Sequence, residues 1–448
     1  MKSIDNISIF GTSSDVGKST ITFTIAKILQ DMGYSIAPFK AQNVSNNAMV
    51  ADDGSEIAVA QYFQAEVLDL PTSYHLNPIL LKSGRGNSAS LILNGKSIQT
   101  KDVREYYRDL EELKPIVDRA YDYLDQRYDC IISEGAGSPV ELNLMDKDLS
   151  NIYIATRYKT KIILVADIER GGVFASIWGV YNLLPKELRE RVIGVIINKF
   201  RGDMTLFDEG IDIIEEEFAI PVLGILPYRA FNLGFEDSQS LLKYQQNSTQ
   251  DAKKVGVIAY PTMSNYNDFE PLIADIDISL EFIQSDISLD SFDLIILPGS
   301  KLVISDLNWL KDIGLFERIR ESGVEILGIC GGYQMMFRKI LDPDRVESQI
   351  AEVDGFGFID DDIIFHREKI LKRGVYNIFG REVDGFEIHH GVSQHYPLYY
   401  QDGRISGTFV HGLFNDSKFT KYKRDRVDQF VDDMKSRLDI DRIVDSIS

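Results

Sequence analysis

Short apolar runs rich in β-branched residues recur along this chain, separated by longer stretches in which apolar positions return every three or four residues. In the first half the runs are 7-ISIFG-11, 130-CIISEG-135, 161-KIILVADI-168, 192-VIGVIINKF-200 and 221-PVLGILPY-228. Strands alternating with helices predict a mostly parallel sheet covered on both faces. The polar stretch 236-EDSQSLLKYQQNSTQDAK-253 predicts a linker. A second series follows, with runs at 254-KVGVIAY-260, 292-FDLIILPGS-300 and 324-VEILGICGG-332, then a glycine-punctuated region that ends at 407-GTFVHGLF-414. The charged residues after 418 are expected to be helical. The pattern gives an α/β fold class with two parallel-sheet domains, expected at 1–235 and 254–448 with 236–253 between them.

Composition narrows what such a protein does. A chain of 448 residues exceeds what one hydrophobic core usually serves, and 44% apolar with 26% charged residues is the balance of a soluble globular protein. The formal charge is −21 and the 48 basic residues are scattered, which argues against nucleic acid and anionic membranes as partners. Small molecules are the expected partners, and any phosphate site must be local. Only Cys130 and Cys330 occur, far apart and inside apolar runs, so a disulfide framework is not expected. With no signal-peptide core near the start and no membrane-spanning run, the cytoplasm is the expected compartment.

The stretch 11-GTSSDVGKST-20 carries the first candidate chemistry. It departs from the usual phosphate loop because Thr12, not a glycine, stands six residues before Lys18, and Gly11 comes one residue too early. Its context still fits: an apolar strand, a loop of small residues, then helical spacing at Ile21, Ile25 and Ile28. Such a turn presents backbone N–H groups to a nucleotide phosphate, so Gly17, Lys18, Ser19 and Thr20 are candidate ATP-binding residues, with the Ser19 hydroxyl a candidate ligand for Mg²⁺. Lys40, in 37-APFKAQNVSNN-47, follows the next strand and is a candidate second cation. Glu134 ends the strand before a glycine-rich turn and is a candidate Mg²⁺ ligand. Asp52, Asp53 and Glu56 offer further carboxylates for the metal, and Asn198 in 196-IINKFRGD-203 is a candidate for the adenine.

In the second half, 326-ILGICGGYQMM-336 places Cys330 between a strand and helix-forming residues. A thiol at such a turn is exposed to substrate, with a lowered pKa and N–H donors beside it, which suits a nucleophile. The base comes from six histidines. His411, just beyond a strand and before a glycine, is the leading candidate, with 386-FEIHHG-391 its rival. Gly299 in 297-LPGSK-301 and Gly331 are candidate oxyanion donors. Cys130 reads as structural.

Taken in order, GTSSDVGKST, APFKAQNVSNNA, NPILLKS, SEGAGSPVELNL, LVADIERGGVFAS, INKFRGD, LPGSKLVISDLNWL, GICGGYQMM, GFEIHHG and GTFVHGLF resemble the cobyric acid synthase family over nearly the whole chain. The phosphate loop and Cys-Gly-Gly are shared by many amidotransferases, whereas APFKAQNVSNNA and ADIERGGVFAS are more particular. APFKAQNVSNNA also separates this family from its sister, which amidates the a and c carboxylates of cobyrinic acid. A partition-type phosphate-loop switch with a non-catalytic second domain is the alternative from another class. The resemblance implies a dethiobiotin synthetase-like ATPase domain joined to a class I glutamine amidotransferase domain. It further implies that Cys330, aided by His411, releases ammonia from glutamine, and that Mg-ATP activates carboxylates of a corrin acid for amidation. Many class I amidotransferases carry an acidic residue two positions after the histidine. Leu413 stands there, so some other group is expected to orient His411.

Overall fold

A six-stranded parallel sheet forms the centre of the first half. Its order across the sheet is Val222–Pro227, Val192–Phe200, Lys161–Asp167, Ile7–Gly11, Cys130–Glu134 and Ile36–Phe39. Five of these strands are the runs read from the sequence, and Ile7–Gly11 and Cys130–Glu134 are buried throughout because helices cover both faces. The helix Lys18–Asp31 buries Ile21, Ile25 and Ile28, the positions whose spacing predicted it. From Ile7–Gly11 the chain goes to one side for Ile36–Phe39 and to the other for Lys161–Asp167, so strand order reverses there. Loops at the carboxyl ends of Ile7–Gly11 and Cys130–Glu134 therefore open at a switch point, where α/β sheets bind ligands.

The structure is a computed structural model that describes residues 4–83, 88–102, 110–229, 231, 233 and 248–448. Most of the expected linker, 236–247, lies outside them. The second half is built on another six-stranded sheet, ordered Ile278–Ile283, Lys253–Ile258, Leu294–Leu297, Glu325–Ile329, Ile405–Thr408 and Tyr399–Asp402. All pairs are parallel except the last. A smaller sheet beside it contains the long antiparallel pair Ile359–Ile378 and Arg381–Ser393, within the glycine-punctuated region of the sequence. The fold class is α/β, as expected.

The chain divides into two compact units, and each includes a segment from beyond the expected break. The first unit comprises Met1–Val44, Ala60–Phe231 and Arg424–Ser448; the second comprises Ser45–Val59 and Asn232–Lys423. The C-terminal residues leave the second series because their apolar face is buried on the first. Ile443 and Ile447 are buried, Phe430 packs on Phe231 and Phe23 with ring centroids 4.7 and 5.9 Å apart, and Asp439 N–H donates to Leu223 O at 2.8 Å. In the opposite sense, the hairpin Ala48–Val50/Glu56–Ala58 packs on the long antiparallel pair of the second unit. There the fully buried Glu56 meets Lys369 at 2.8 Å.

Ile443→Ala removes buried methyl groups from the first unit and is expected to cost about 2–5 kcal/mol. The loss should appear in the unfolding transition that ATP raises, since ligand binding shifts only the unit that binds it; a change confined to a transition indifferent to ATP would contradict the assignment.

Candidate active site

In the second unit the strand Glu325–Ile329 lies between Leu294–Leu297 and Ile405–Thr408, so the loops leaving all three meet at one edge. Cys330 follows the central strand at φ 50° and ψ −104°, a left-handed conformation uncommon for a residue with a side chain. Its own N–H donates to Thr408 O at 2.8 Å and its carbonyl accepts from Gln334 N–H at 3.0 Å, so the backbone on both sides holds the kink. Glycine is required just beyond it: a Cβ at Gly332 would lie 1.9 Å from Leu297 O. The Cys330 Sγ is buried and lies 3.6 Å from Ile388 O.

His411 sits after Ile405–Thr408 and is fully buried. Its Nδ1 lies 2.6 Å from Asp268 Oδ2, and Asp268 Oδ1 accepts the Gly412 N–H at 2.9 Å. Asp268 thus fixes both the ring and the backbone that follows it. The Nε2 atom has no hydrogen-bond partner among the described residues. Burial disfavours the imidazolium, but the charges of Asp268 and Cys330 outweigh it and hold the His411 pKa up to about 10. A Cβ at Gly299 would lie 3.2 Å from His411 Cε1, which puts this glycine at the ring. Neither Gly299 N–H nor Gly331 N–H donates to another group among the described residues. The turn carrying Gly299 is pinned by the buried Asp306, which accepts from Ser300 Oγ and Thr262 Oγ1, both at 2.6 Å. Burial pushes the Asp306 pKa up to about 6.

The phosphate-loop candidates converge in the first unit. Lys18 folds back so that Nζ donates to Gly137 O at 2.9 Å and Ser13 O at 3.2 Å. The early glycine of this loop has its reason here, because a Cβ at Gly11 would lie 2.8 Å from both Lys18 Nζ and Val16 Cγ2. Glu134, buried at the end of its strand, collects three side chains: Ser19 Oγ and Lys40 Nζ donate to Oε1 at 2.8 Å each, and Gln64 Nε2 donates to Oε2 at 2.7 Å. Gly17 precedes the helix that Lys18, Ser19 and Thr20 open, and Thr20 O accepts from Thr24 Oγ1 at 2.7 Å.

Other candidates sit elsewhere. Asn198 is turned onto the loop: Nδ2 donates to Val16 O at 2.8 Å and Oδ1 accepts the Lys199 N–H at 2.9 Å, so its amide supports the loop. Asp52, Asp53 and Glu56 belong to the second unit. There Asp52 meets Arg373 at 3.5 Å, Asp53 accepts the Ser55 N–H, and Glu56 meets Lys369. The rival histidines are occupied as well, His389 by Gly391 O and Glu387, and His390 by His366 O. Neither Cys130 nor Cys330 is in a disulfide.

Two residues at the sites escaped the sequence reading. Asp268 lies in 264-SNYNDFE-270 after the strand Lys253–Ile258, where a polar cluster at a strand's carboxyl end was the available signal. Gln64 lies within the helix Val59–Val67 and carried none.

Comparison with known proteins gives this geometry a family. Residues 7–233 match the CobQ/CobB/MinD/ParA nucleotide binding domain, and residues 254–419 match the CobB/CobQ-like glutamine amidotransferase domain. A cobyric acid synthase of Acinetobacter baylyi is 60% identical, the alignment covering 99% of each chain. One of Carboxydothermus hydrogenoformans is 40% identical over 91% of this chain and 88% of its own. A probable cobyric acid synthase of Methanothermobacter thermautotrophicus is 38% identical over 93% of this chain and 89% of its own. The chain belongs to the cobyric acid synthase family. It is accordingly a glutamine-dependent amidoligase of cobalamin biosynthesis, with an ATP-binding half and an amidotransferase half. In this cobyric acid synthase family chain the orienting carboxylate comes from Asp268, 143 residues before the histidine, and Leu413 packs instead against the apolar core. No helix among the described residues is long and apolar enough to cross a membrane.

The His411–Asp268 pair carries a pH signature. With the folded pKa raised to about 10 from an ordinary 6.5, the imidazolium contributes stability fully below about 6.5 and loses it as pH rises through about 10. The gap in urea midpoint between the parent protein and Asp268→Asn is expected to be widest on the acid side of this window and to narrow toward its alkaline end. A gap that does not vary with pH would contradict the pairing.

Proposed function

We propose that this chain converts adenosylcobyrinic acid a,c-diamide to adenosylcobyric acid by amidating its b, d, e and g carboxylates with nitrogen from glutamine, at the cost of ATP. The observation that carries the reading is the Cys330–His411–Asp268 constellation, found in the same chain as a phosphate loop whose Lys18 folds back onto Gly137 O and whose Ser19 donates to a buried strand-end carboxylate. Chemistry explains why both are needed. A carboxylate is a poor acceptor for ammonia because oxide is a poor leaving group, and an acyl phosphate supplies a good one. Ammonia, in turn, is nucleophilic only while unprotonated, which favours its release inside the enzyme.

In the glutaminase step Cys330, with His411 beside it, supplies the nucleophile. Sγ attacks the side-chain amide carbon of glutamine, and the N–H groups of Gly299 and Gly331 receive the developing oxyanion. The carbon–nitrogen bond then breaks, with His411 Nε2 donating the proton that lets ammonia leave. Water attacks the thioester and restores the thiol. Asp268 touches no substrate atom; it holds the ring so that Nε2 faces the sulfur.

In the synthetase step Lys18 and Lys40 offset charge on the transferring phosphoryl group as a substrate carboxylate oxygen attacks the terminal phosphorus of ATP and ADP leaves. Ammonia then displaces phosphate. The residues fit Mg²⁺: the Ser19 hydroxyl and the Glu134 carboxylate are hard oxygen donors, and the buried Gln64 Oε1 beside them lacks a hydrogen-bond partner among the described residues. Ser19 and Glu134 would hold the ion, which when bound neutralises charge on the nucleotide phosphates. Asn198 steadies the loop from Val16.

Incubating the protein with the a,c-diamide, Mg-ATP and glutamine is expected to yield, by mass spectrometry, a product bearing four new amides. Cys330→Ser should abolish product from glutamine while leaving product from ammonia, whereas Lys18→Ala should lower the rate from either nitrogen source by about a hundredfold or more. Glutamine use by Cys330→Ser, or an undiminished ammonia rate in Lys18→Ala, would overturn the roles. Conversion of cobyrinic acid to its a,c-diamide, with the diamide itself left untouched, would point to the sister family.

A further inference from the structure

The carboxylate that orients His411 stands on a turn that is itself held in an uncommon shape. Asp268 lies in the 3₁₀ turn Tyr266–Phe269, entered through Asn265 at φ 58° and ψ 50°, in the left-handed region. Asp268 N–H donates to Asn265 O at 3.1 Å, so the conformation of Asn265 sets where the carboxylate begins. Two bonds fix Asn265 from outside the turn. Its N–H donates to Asn47 Oδ1 at 2.7 Å and its Nδ2 donates to Ala48 O at 2.9 Å.

Asn47 is fixed in turn. Its N–H donates to Ser45 Oγ at 3.1 Å and its carbonyl accepts the Val59 N–H at 3.3 Å, which closes the base of the hairpin Ala48–Val50/Glu56–Ala58. Asn47, Asn265 and Asp268 are all buried, at 1%, 3% and 3% exposure, so water cannot replace a lost partner. The neighbouring Asn267 also reaches this hairpin, its Nδ2 lying 3.2 Å from Met49 Sδ. A continuous series of contacts thus runs from Asn47 through Asn265 and Asp268 to His411.

We propose that Asn47 is a positioning residue for glutamine hydrolysis: by accepting the Asn265 N–H it sets the turn from which Asp268 orients His411. This rests on the reading of Cys330, His411 and Asp268 as the glutaminase centre. The sequence position is unexpected, because Asn47 lies seven residues after Lys40 and within the 7–233 match to the nucleotide binding domain, yet it belongs to the second compact unit. A residue in that stretch would ordinarily be assigned to the ATP-dependent half.

The test compares Asn47→Leu, which keeps bulk but removes the acceptor, with Asn47→Asp, which keeps an acceptor oxygen. In Asn47→Leu, kcat for glutamine-dependent amidation is expected to fall at least about tenfold, with the KM for glutamine and the ammonia-dependent rate both within about twofold of the parent. Asn47→Asp should recover most of the loss. Asn265→Gly, which tolerates the left-handed backbone and loses only the bond to Ala48 O, should show the same pattern to a smaller degree and serves if Asn47→Leu fails to fold. An unchanged glutamine rate in Asn47→Leu, or in Asn265→Gly when that variant has to serve, would overturn the proposal. So would a parallel fall in the ammonia rate, because Asn47 would then act in the synthetase half. Cys330→Ser assayed alongside separates the two levels: if it retains glutamine use, the underlying reading fails, whatever Asn47 does.

Discussion

A buried charge survives only with a partner, and at the thiol centre that partner is Asp268, 2.6 Å from His411 Nδ1. Burial by itself favours the neutral ring. With Asp268, the ring's pKa is held up to about 10, and its Nε2 has no hydrogen-bond partner among the described residues. Much of the second unit serves that contact. The central strand delivers Cys330 in a left-handed kink, its two neighbours deliver Gly299 and His411, and Asp306 ties down the turn between the strand Leu294–Leu297 and the following helix.

The first unit applies the same constraint with the opposite charge at its centre. Glu134 is a carboxylate 1% exposed, and it is tolerated because Lys40, Ser19 and Gln64 all donate to it. An ion pair so deeply buried adds little to stability on its own. Its value is positional: it fixes Lys40, which comes from an outer strand of the sheet, against the serine that opens the first helix. The departure from the standard phosphate loop belongs to this economy too, since Gly11 gives Lys18 the room to fold back toward Gly137 O.

What could be read in advance follows from the range of the interactions involved. Most strands of the two central sheets are apolar runs, and Ile21, Ile25 and Ile28 announce their helix because periodicity is local. Lys18, Ser19 and Cys330 were legible for the same reason: strand, small-residue loop and helix lie within a few residues of one another. Asp268 was not, because its partner lies 143 residues away and only the pairing of separate strands brings them together. Gln64 and Asn47 share that difficulty. The direction of the Asn198 amide was hidden for a related reason: its place at a strand end was legible, but it is turned onto Val16, 182 residues earlier.

The domain boundary is the clearest case of sequence order parting from physical membership. A linker was placed near 236–253 because composition changes there, and both family matches agree with a break, ending at 233 and resuming at 254. Yet each unit includes a segment from the far side of that break, 424–448 in one and 45–59 in the other. Composition cannot reveal this, because Ile443 and Ile447 look alike whichever surface buries them. No single cut near residue 240 therefore separates the units. A fragment ending there would lack the residues that cover Leu223 and Phe23, and would carry Glu56 without Lys369 and Asn47 without Asn265. The complementary fragment would contain Cys330, His411 and Asp268 but not the acceptor that holds the turn beneath Asp268. Covalent continuity thus does more than join two halves, because Asn47, translated long before Asn265, holds the turn that carries Asp268.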